Sequence, residues 1–133
     1  MIGFENPPTV AAPDGQFSQV AIVPEGARLI FISGQVPRDA NGQTVGVGSM
    51  TKQAEQVFSN LRNILRGYGA DFSRAVKATL FLTDENAIPE LMSVRSRFYG
   101  EAAPASSLIV VKALGDPDWL LEVEMIAAID SDI

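Results

Sequence analysis

Between Ala54 and Tyr68 apolar residues recur every three or four positions, and this stretch constrains the architecture more than any other. Ala54, Val57, Phe58, Leu61, Ile64, Leu65 and Tyr68 form one stripe of a helix that must be buried against something. Ser49 or Thr51 can cap its start, and Gly67 or Gly69 can end it. A second helix is predicted from about 83–86 to Gly100, with Pro89 tolerated in its first turn. Its inward stripe is Ile88, Leu91, Met92, Arg95, Phe98 and Tyr99. Between the helices the period drops to two: Val76, Ala78, Leu80 and Leu82 alternate with Lys77, Thr79, Phe81 and Thr83, which predicts a strand.

The remaining apolar runs are short enough for strands. Gln16–Val23 and Leu29–Ser33 flank the turn signal Pro24-Glu25-Gly26, and the spacing predicts a β-hairpin. Ser106–Leu114 and Trp119–Ile129 flank Gly115-Asp116-Pro117-Asp118 and predict the last two strands. Turn signals between Pro7 and Gly15 suggest an extended run over the surface. Residues 34–49, with Pro37, Asn41-Gly42, Gly46 and Gly48, read as a long loop. The result is one α+β domain over residues 1–133, in the order ββαβαββ. Two helices can cover only one face of a five-stranded sheet. The other face is expected to carry Ile109, Val111 and Leu120 and to meet another subunit.

The chain has no cysteine and no histidine. Disulfides, thiolate nucleophiles, histidine metal sites and imidazole acid/base chemistry are excluded, and no metal or cofactor is expected. The ten basic residues are scattered and the net charge is −6, so a nucleic-acid partner is not expected. The longest apolar runs, such as Leu108–Val111, fall far short of the roughly 20 residues of a membrane span, so no membrane partner is expected. The opening Met1-Ile2-Gly3-Phe4-Glu5-Asn6 has neither a basic flank nor an apolar core of a signal peptide, and the expected address is cytoplasmic.

Four segments, in order, match one family. They are Ser33-Gly34-Gln35-Val36-Pro37, the strand from Val76 to Asp84, Pro104-Ala105-Ser106-Ser107, and Glu122-Val123-Glu124-Met125-Ile126-Ala127. With these the chain resembles the RidA (YjgF) family over nearly its whole length. The resemblance implies a chorismate-mutase-like subunit, a homotrimer around a central β-barrel, and small-molecule clefts between subunits. It also implies cofactor-free hydrolysis of reactive enamines and imines, such as 2-aminoacrylate, to 2-keto acids and ammonia.

By the same resemblance, Glu122 matches the family glutamate that positions or activates water. A carboxylate on a strand face between Leu120 and Ile126 suits general acid/base work, which typically contributes on the order of 10²–10⁴-fold. Glu124 shares that side and reads as solvent-facing or ion-paired. Ser33 and Gly34 match positions bordering the cleft, and Ser107 closes the matched Pro104–Ser107 segment. Three positions depart from the deaminase pattern: Ser106 stands where an arginine grips the substrate carboxylate, Phe17 replaces a tyrosine, and Met92 replaces an asparagine. A charged hydrogen bond is worth about 1.5–3 kcal/mol, so loss of that arginine alone would weaken a carboxylate ligand roughly 10- to 150-fold. Arg95, a cation on an apolar helix stripe, reads as a relocated anion anchor, as half of a salt bridge to Asp or Glu, or as a snorkelling edge residue. Lys112 is a weaker candidate anchor, and Trp119 reads as core or as part of a more apolar cleft. Three functions stay open: a divergent small-molecule hydrolase, a non-catalytic binding or chaperone-like trimer, and, weakest, an endoribonuclease.

Overall fold

The structure, a computed structural model, describes residues 1–131. The predicted helices form where their stripes place them. Helix α1 spans Met50–Arg66, with the Ser49 hydroxyl accepting from the Lys52 N–H at its start. Ala54, Val57, Phe58, Leu61 and Leu65 are fully buried along it, whereas Tyr68 lies past its end and is exposed. Helix α2 spans Ile88–Tyr99, entered through a 3-10 turn over Glu85–Ala87 that the Asp84 carboxylate caps, and Gly100 follows it at φ 59°. Phe58, Phe72, Phe98 and Tyr99 stack together where the helices meet, with ring centroids 5.2–6.4 Å apart. Such contacts add specificity to the area they bury.

Six strands accompany the helices: β1 (Gly3–Glu5), β2 (Val20–Ile22), β3 (Arg28–Gln35), β4 (Ala75–Leu82), β5 (Ala105–Val110) and β6 (Leu121–Ile129). They make a two-stranded sheet, β1-β2, and a four-stranded sheet in the order β3-β6-β4-β5. The predicted order survives with one short strand added at the front.

The expected hairpin does not form among the described residues. β2 pairs with β1, and β3 pairs antiparallel with β6 at the far end of the sequence. Strand β6 offers β3 a ladder running from Arg28↔Ile129 to Gln35↔Val123, which three residues of β2 cannot match. Gln16–Ser18 lies instead beside β5. The Ser18 N–H donates to Pro104 O (3.1 Å) and its hydroxyl to Ala103 O (2.6 Å), and Ser18 bridges Ala105. The five-stranded sheet is therefore four-stranded, and the last two strands are shorter than their apolar runs.

Both helices pack on one face. Ile32 of β3, Ala78, Leu80 and Leu82 of β4, and Leu121, Val123, Met125 and Ala127 of β6 point into that core. A bulge at Val76 lets Ala75 and Ala78 both face inward. The opposite face is bare: Leu29, Phe31 and Ile109 are 46%, 73% and 42% exposed. Of the residues expected there only Ile109 is; Leu120 packs against the core and Val111 lies beyond β5. Among the described residues no helix is long and apolar enough to cross a membrane.

Candidate functional site

The eight candidate residues fall into two groups on opposite faces of the sheet. Strand pairing fixes the division. Ser106 sits opposite the buried Ala78, on the helix face, whereas its neighbour Ser107 sits opposite Thr79, on the bare face, where Lys77 Nζ donates to its hydroxyl at 2.8 Å. Glu122, opposite Phe81, and Glu124, opposite Thr79, share that bare face with Ser107. Glu122 is half-buried and Glu124 exposed.

Ser33 and Gly34 lie where β3 slips register against β6, between Ile32↔Met125 and Gln35↔Val123. Gly34 has no positive φ, so glycine is not required there by backbone conformation. What glycine gives here is room for the Glu122 carboxylate where it lies. A Cβ at this position would overlap the Glu122 Oε2 and lie 2.8 Å from its Cδ and 2.9 Å from its Cγ. The carboxylate rests directly on the bulged backbone, which fixes its position at no side-chain cost. A cavity of about 540 Å³ opens beside Gly34, between residues 34–42 and α1. Of its amides, Asn60 holds the loop: Asn60 Nδ2 donates to Val36 O (3.2 Å) and Arg38 O (3.0 Å).

The second group converges. Phe17, Met92, Arg95 and Ser106 line one cavity of about 700 Å³ between α2, β5 and residues 14–17. Ile88 and Leu108 extend its apolar wall, and Asp14, Gln16 and Ser96 stand in its lining. The sequence reading gave none of these five a site role and placed Ile88 only on the helix stripe, although Ile88, Met92 and Ser96 share a helix face at i, i+4, i+8.

Arg95 is 6% exposed. Its Nε is sealed from solvent with no hydrogen-bond partner, and no ion pair to Asp or Glu meets its guanidinium among the described residues. Within one chain, then, Arg95 has no carboxylate partner among the described residues. The guanidinium lies 5.7 Å from the Tyr99 ring centroid. Burial lowers the Arg95 pKa, and burial drives the Tyr99 phenol upward, so Tyr99 stays neutral and cannot serve as a counter-ion. Lys112 is exposed and stands outside this cavity. Trp119 belongs to neither the core cluster nor this cavity: its Nε1 donates to Thr44 Oγ1 (3.2 Å), and Arg38 covers its ring at 5.5 Å. Among the described residues no cluster of carboxylates offers a metal site.

The fold defines a small α+β subunit of the chorismate-mutase-like type, with an uncovered sheet face. The family model described as Endoribonuclease L-PSP matches residues 8–129, and the chain belongs to this family, which is also the RidA (YjgF) family. A 2-iminobutanoate/2-iminopropanoate deaminase from Capra hircus is 36% identical over 114 residues, covering 85% of this chain and 80% of the relative. A RutC family protein from Pyrococcus abyssi is 34% identical over 115 residues, covering 86% and 87%. A crystal structure of a Rid family protein of unknown function, YyfB from Yersinia pestis, superposes with a TM-score of 0.86 at 31% identity, over 96% of this chain and 98% of that one.

Proposed function

We propose that the protein is a cofactor-free hydrolase of a small imine, enamine or related amino compound, with Glu122 guiding the attacking water. Imine hydrolysis needs a base as water adds to the C=N carbon, and an acid as the resulting carbinolamine breaks its C–N bond and releases ammonia. With the imine protonated, one carboxylate can take the proton of the adding water and return it to the carbinolamine nitrogen, and the hydroxyl proton then leaves with ammonia as ammonium. The observation that carries this reading is the seating of the Glu122 carboxylate against Gly34, in space that a Cβ there would take from it. The relative named as an imine deaminase supports the reaction class. The test is ammonia release from a panel of small imines by wild type and Glu122→Gln.

The same reading places the site between copies of the chain, in a homotrimer closed around a β-barrel in the cytoplasm. In one chain Glu122 and Ser107 lie on the face opposite Ser106, Met92 and Arg95. Both groups can border one cleft only if the second comes from a neighbour. The exposed Leu29, Phe31 and Ile109 give that neighbour an apolar surface to cover. Phe31→Glu is expected to reduce the mass in light scattering to that of one chain and to abolish ammonia release. A wild-type mass of one chain at micromolar concentration would remove the shared cleft.

A non-catalytic binding trimer is the second reading. It is favoured by the helix-side cavity, where Phe17, Met92 and Ser106 supply no acid or base. Ligand-induced melting shifts without turnover across the panel would select it. RNA cleavage is the weakest reading, given the −6 charge and scattered cations.

A further inference from the structure

We propose that the cavity between residues 34–42 and α1 is a second ligand site, one that takes a small neutral polyol the size of a single sugar ring. It goes beyond the hydrolase reading and does not depend on it, since Glu122 is not in the lining. Gln56, Asn60 and Asn63 recur at i, i+4 and i+7 on α1, so one helical face presents three side-chain amides to this cavity of about 540 Å³. Asparagine suits a helix interior poorly, because its amide competes for backbone groups. Asn60 offsets that cost by holding Val36 O and Arg38 O. Asn63 does not: its exposed amide meets no hydrogen-bond partner among the described residues. The rest of the row is ordered before any ligand arrives. Asn60 Oδ1 accepts from Gln56 Nε2 at 2.8 Å, which engages Gln56 by its nitrogen and leaves Oε1 as an unused acceptor. Gln35 is held in the same way, its Nε2 donating to Ser33 O at 3.1 Å. Groups already fixed lose little freedom on binding, which distinguishes a site from a hydrated surface.

The lining also defines the ligand. Its two charged residues, Arg38 and Asp39, are of opposite sign, so neither an anion nor a cation is selected. Both are already engaged: the Arg38 guanidinium lies 5.5 Å from the Trp119 ring centroid, and Asp39 Oδ1 accepts from the Asn41 and Gln43 N–H groups (2.9 and 3.0 Å). No aromatic ring stands in the lining, so a flat heterocycle finds no face to stack on. Val36, Ala40 and Ile64 supply only a small apolar area. What the cavity offers a ligand is the Oε1 acceptors of Gln35 and Gln56 and the whole amide of Asn63, which donates and accepts. A hydroxyl also donates and accepts, and adjacent hydroxyls on one ring can meet a row of amides together. An ion or a hydrocarbon would leave that row unmatched.

The test is an NMR titration of the full, isotope-labelled chain with myo-inositol and with cyclohexanol, which share a ring and differ in hydroxyls. The signals read are the side-chain amides of Gln35, Gln56, Asn60 and Asn63. Inositol is expected to shift them saturably, with a dissociation constant on the order of millimolar, and cyclohexanol to leave them in place. Gln56→Leu combined with Asn63→Leu keeps Asn60 on the loop and is expected to weaken inositol about tenfold or more, the scale of two neutral hydrogen bonds. No saturable shift, equal shifts from cyclohexanol, or shifts confined to residues outside the cavity would each overturn the proposal. So would a double variant that binds inositol as wild type does. Inositol monophosphate binding more than about tenfold tighter than inositol would overturn the neutral class, since Arg38 would then be selecting an anion. Should the double variant fail to fold, Asn63→Leu decides alone from its exposed position, with an expected loss of about 2- to 10-fold and an unchanged affinity counting against the site.

Discussion

Glu122→Gln is expected to lower the rate of ammonia release from an imine substrate by about 10²–10⁴-fold at saturation, with the melting temperature nearly unchanged. The amide keeps the shape and volume of the carboxylate, so it still rests on Gly34 and beside Phe81. It cannot accept a proton from water, and that is the difference the assay reads. Glu124 is the internal control, since it lies two residues away on the same face and is exposed. Glu124→Gln is expected to stay within about threefold of wild type, as a surface carboxylate with no role in proton transfer should. Gly34→Ala provides an independent route to the same result. Its Cβ would occupy the space of the Glu122 carboxylate, whose flexible end must swing aside. The rate is expected to fall towards that of Glu122→Gln while the fold holds. Equal turnover by wild type and Glu122→Gln on the same imine would end the proposed mechanism. A rate lost in Glu122→Gln but kept in Gly34→Ala would show that the seat on the bulge is not what positions the acid.

What sequence could reveal here follows the range of the interactions. Both helices were legible because a stripe, a cap and a terminal glycine are all written within one segment: Ser49, the run from Ala54 to Leu65, and Gly100 needed no partner to be read. Strand pairing is non-local. A short connection between Gln16–Val23 and Leu29–Ser33 suggested a hairpin, yet β3 found its ladder about a hundred residues away in β6. The bulge at Val76 was equally hidden, because a one-residue slip reverses which side chains face inward without changing composition. The family resemblance named site residues without saying which share a surface. The parity of Ser106 and Ser107 on β5 separates them, and that parity becomes readable only once Ala78 and Thr79 are known to lie opposite. Arg95 stood out in the sequence as a cation on an apolar stripe, but that no ion pair meets it among the described residues is a fact of packing. Gly34 read only as a position bordering the cleft, whereas the structure shows the Glu122 carboxylate lying in the space a Cβ there would take.

Gln53→Leu is expected to destabilise the protein by about 3 kcal/mol or more, lowering the melting temperature by on the order of 10 °C. Gln53 is fully buried in α1, among apolar neighbours that gave no hint of a polar duty. Its amide satisfies three backbone groups at once: Nε2 donates to Gly46 O (3.2 Å) and Asp118 O (2.8 Å), and Oε1 accepts from the Leu120 N–H (2.8 Å). One side chain thus ties the loop after β3, the turn before β6 and the entry to β6 onto the helix. Leucine fills nearly the same space, so any loss reports the polar contacts rather than a cavity. Each backbone group left buried without a partner costs about 1–3 kcal/mol, and water reaching the loop would offset part of the sum. Gln56→Leu, one turn further along α1, removes only the 2.8 Å bond from Gln56 Nε2 to Asn60 Oδ1 and is expected to cost about 1 kcal/mol or less. Denaturant midpoints of the two variants, compared at a shared slope, separate these expectations. Equal midpoints would mean that the loop and turn hold without Gln53. The proposed ordering instead links stability to chemistry, because Glu122 enters β6 two residues after Leu120. Loosening the Gln53 tie is therefore expected to slow ammonia release beyond what the unfolded fraction explains, measured well below the melting transition.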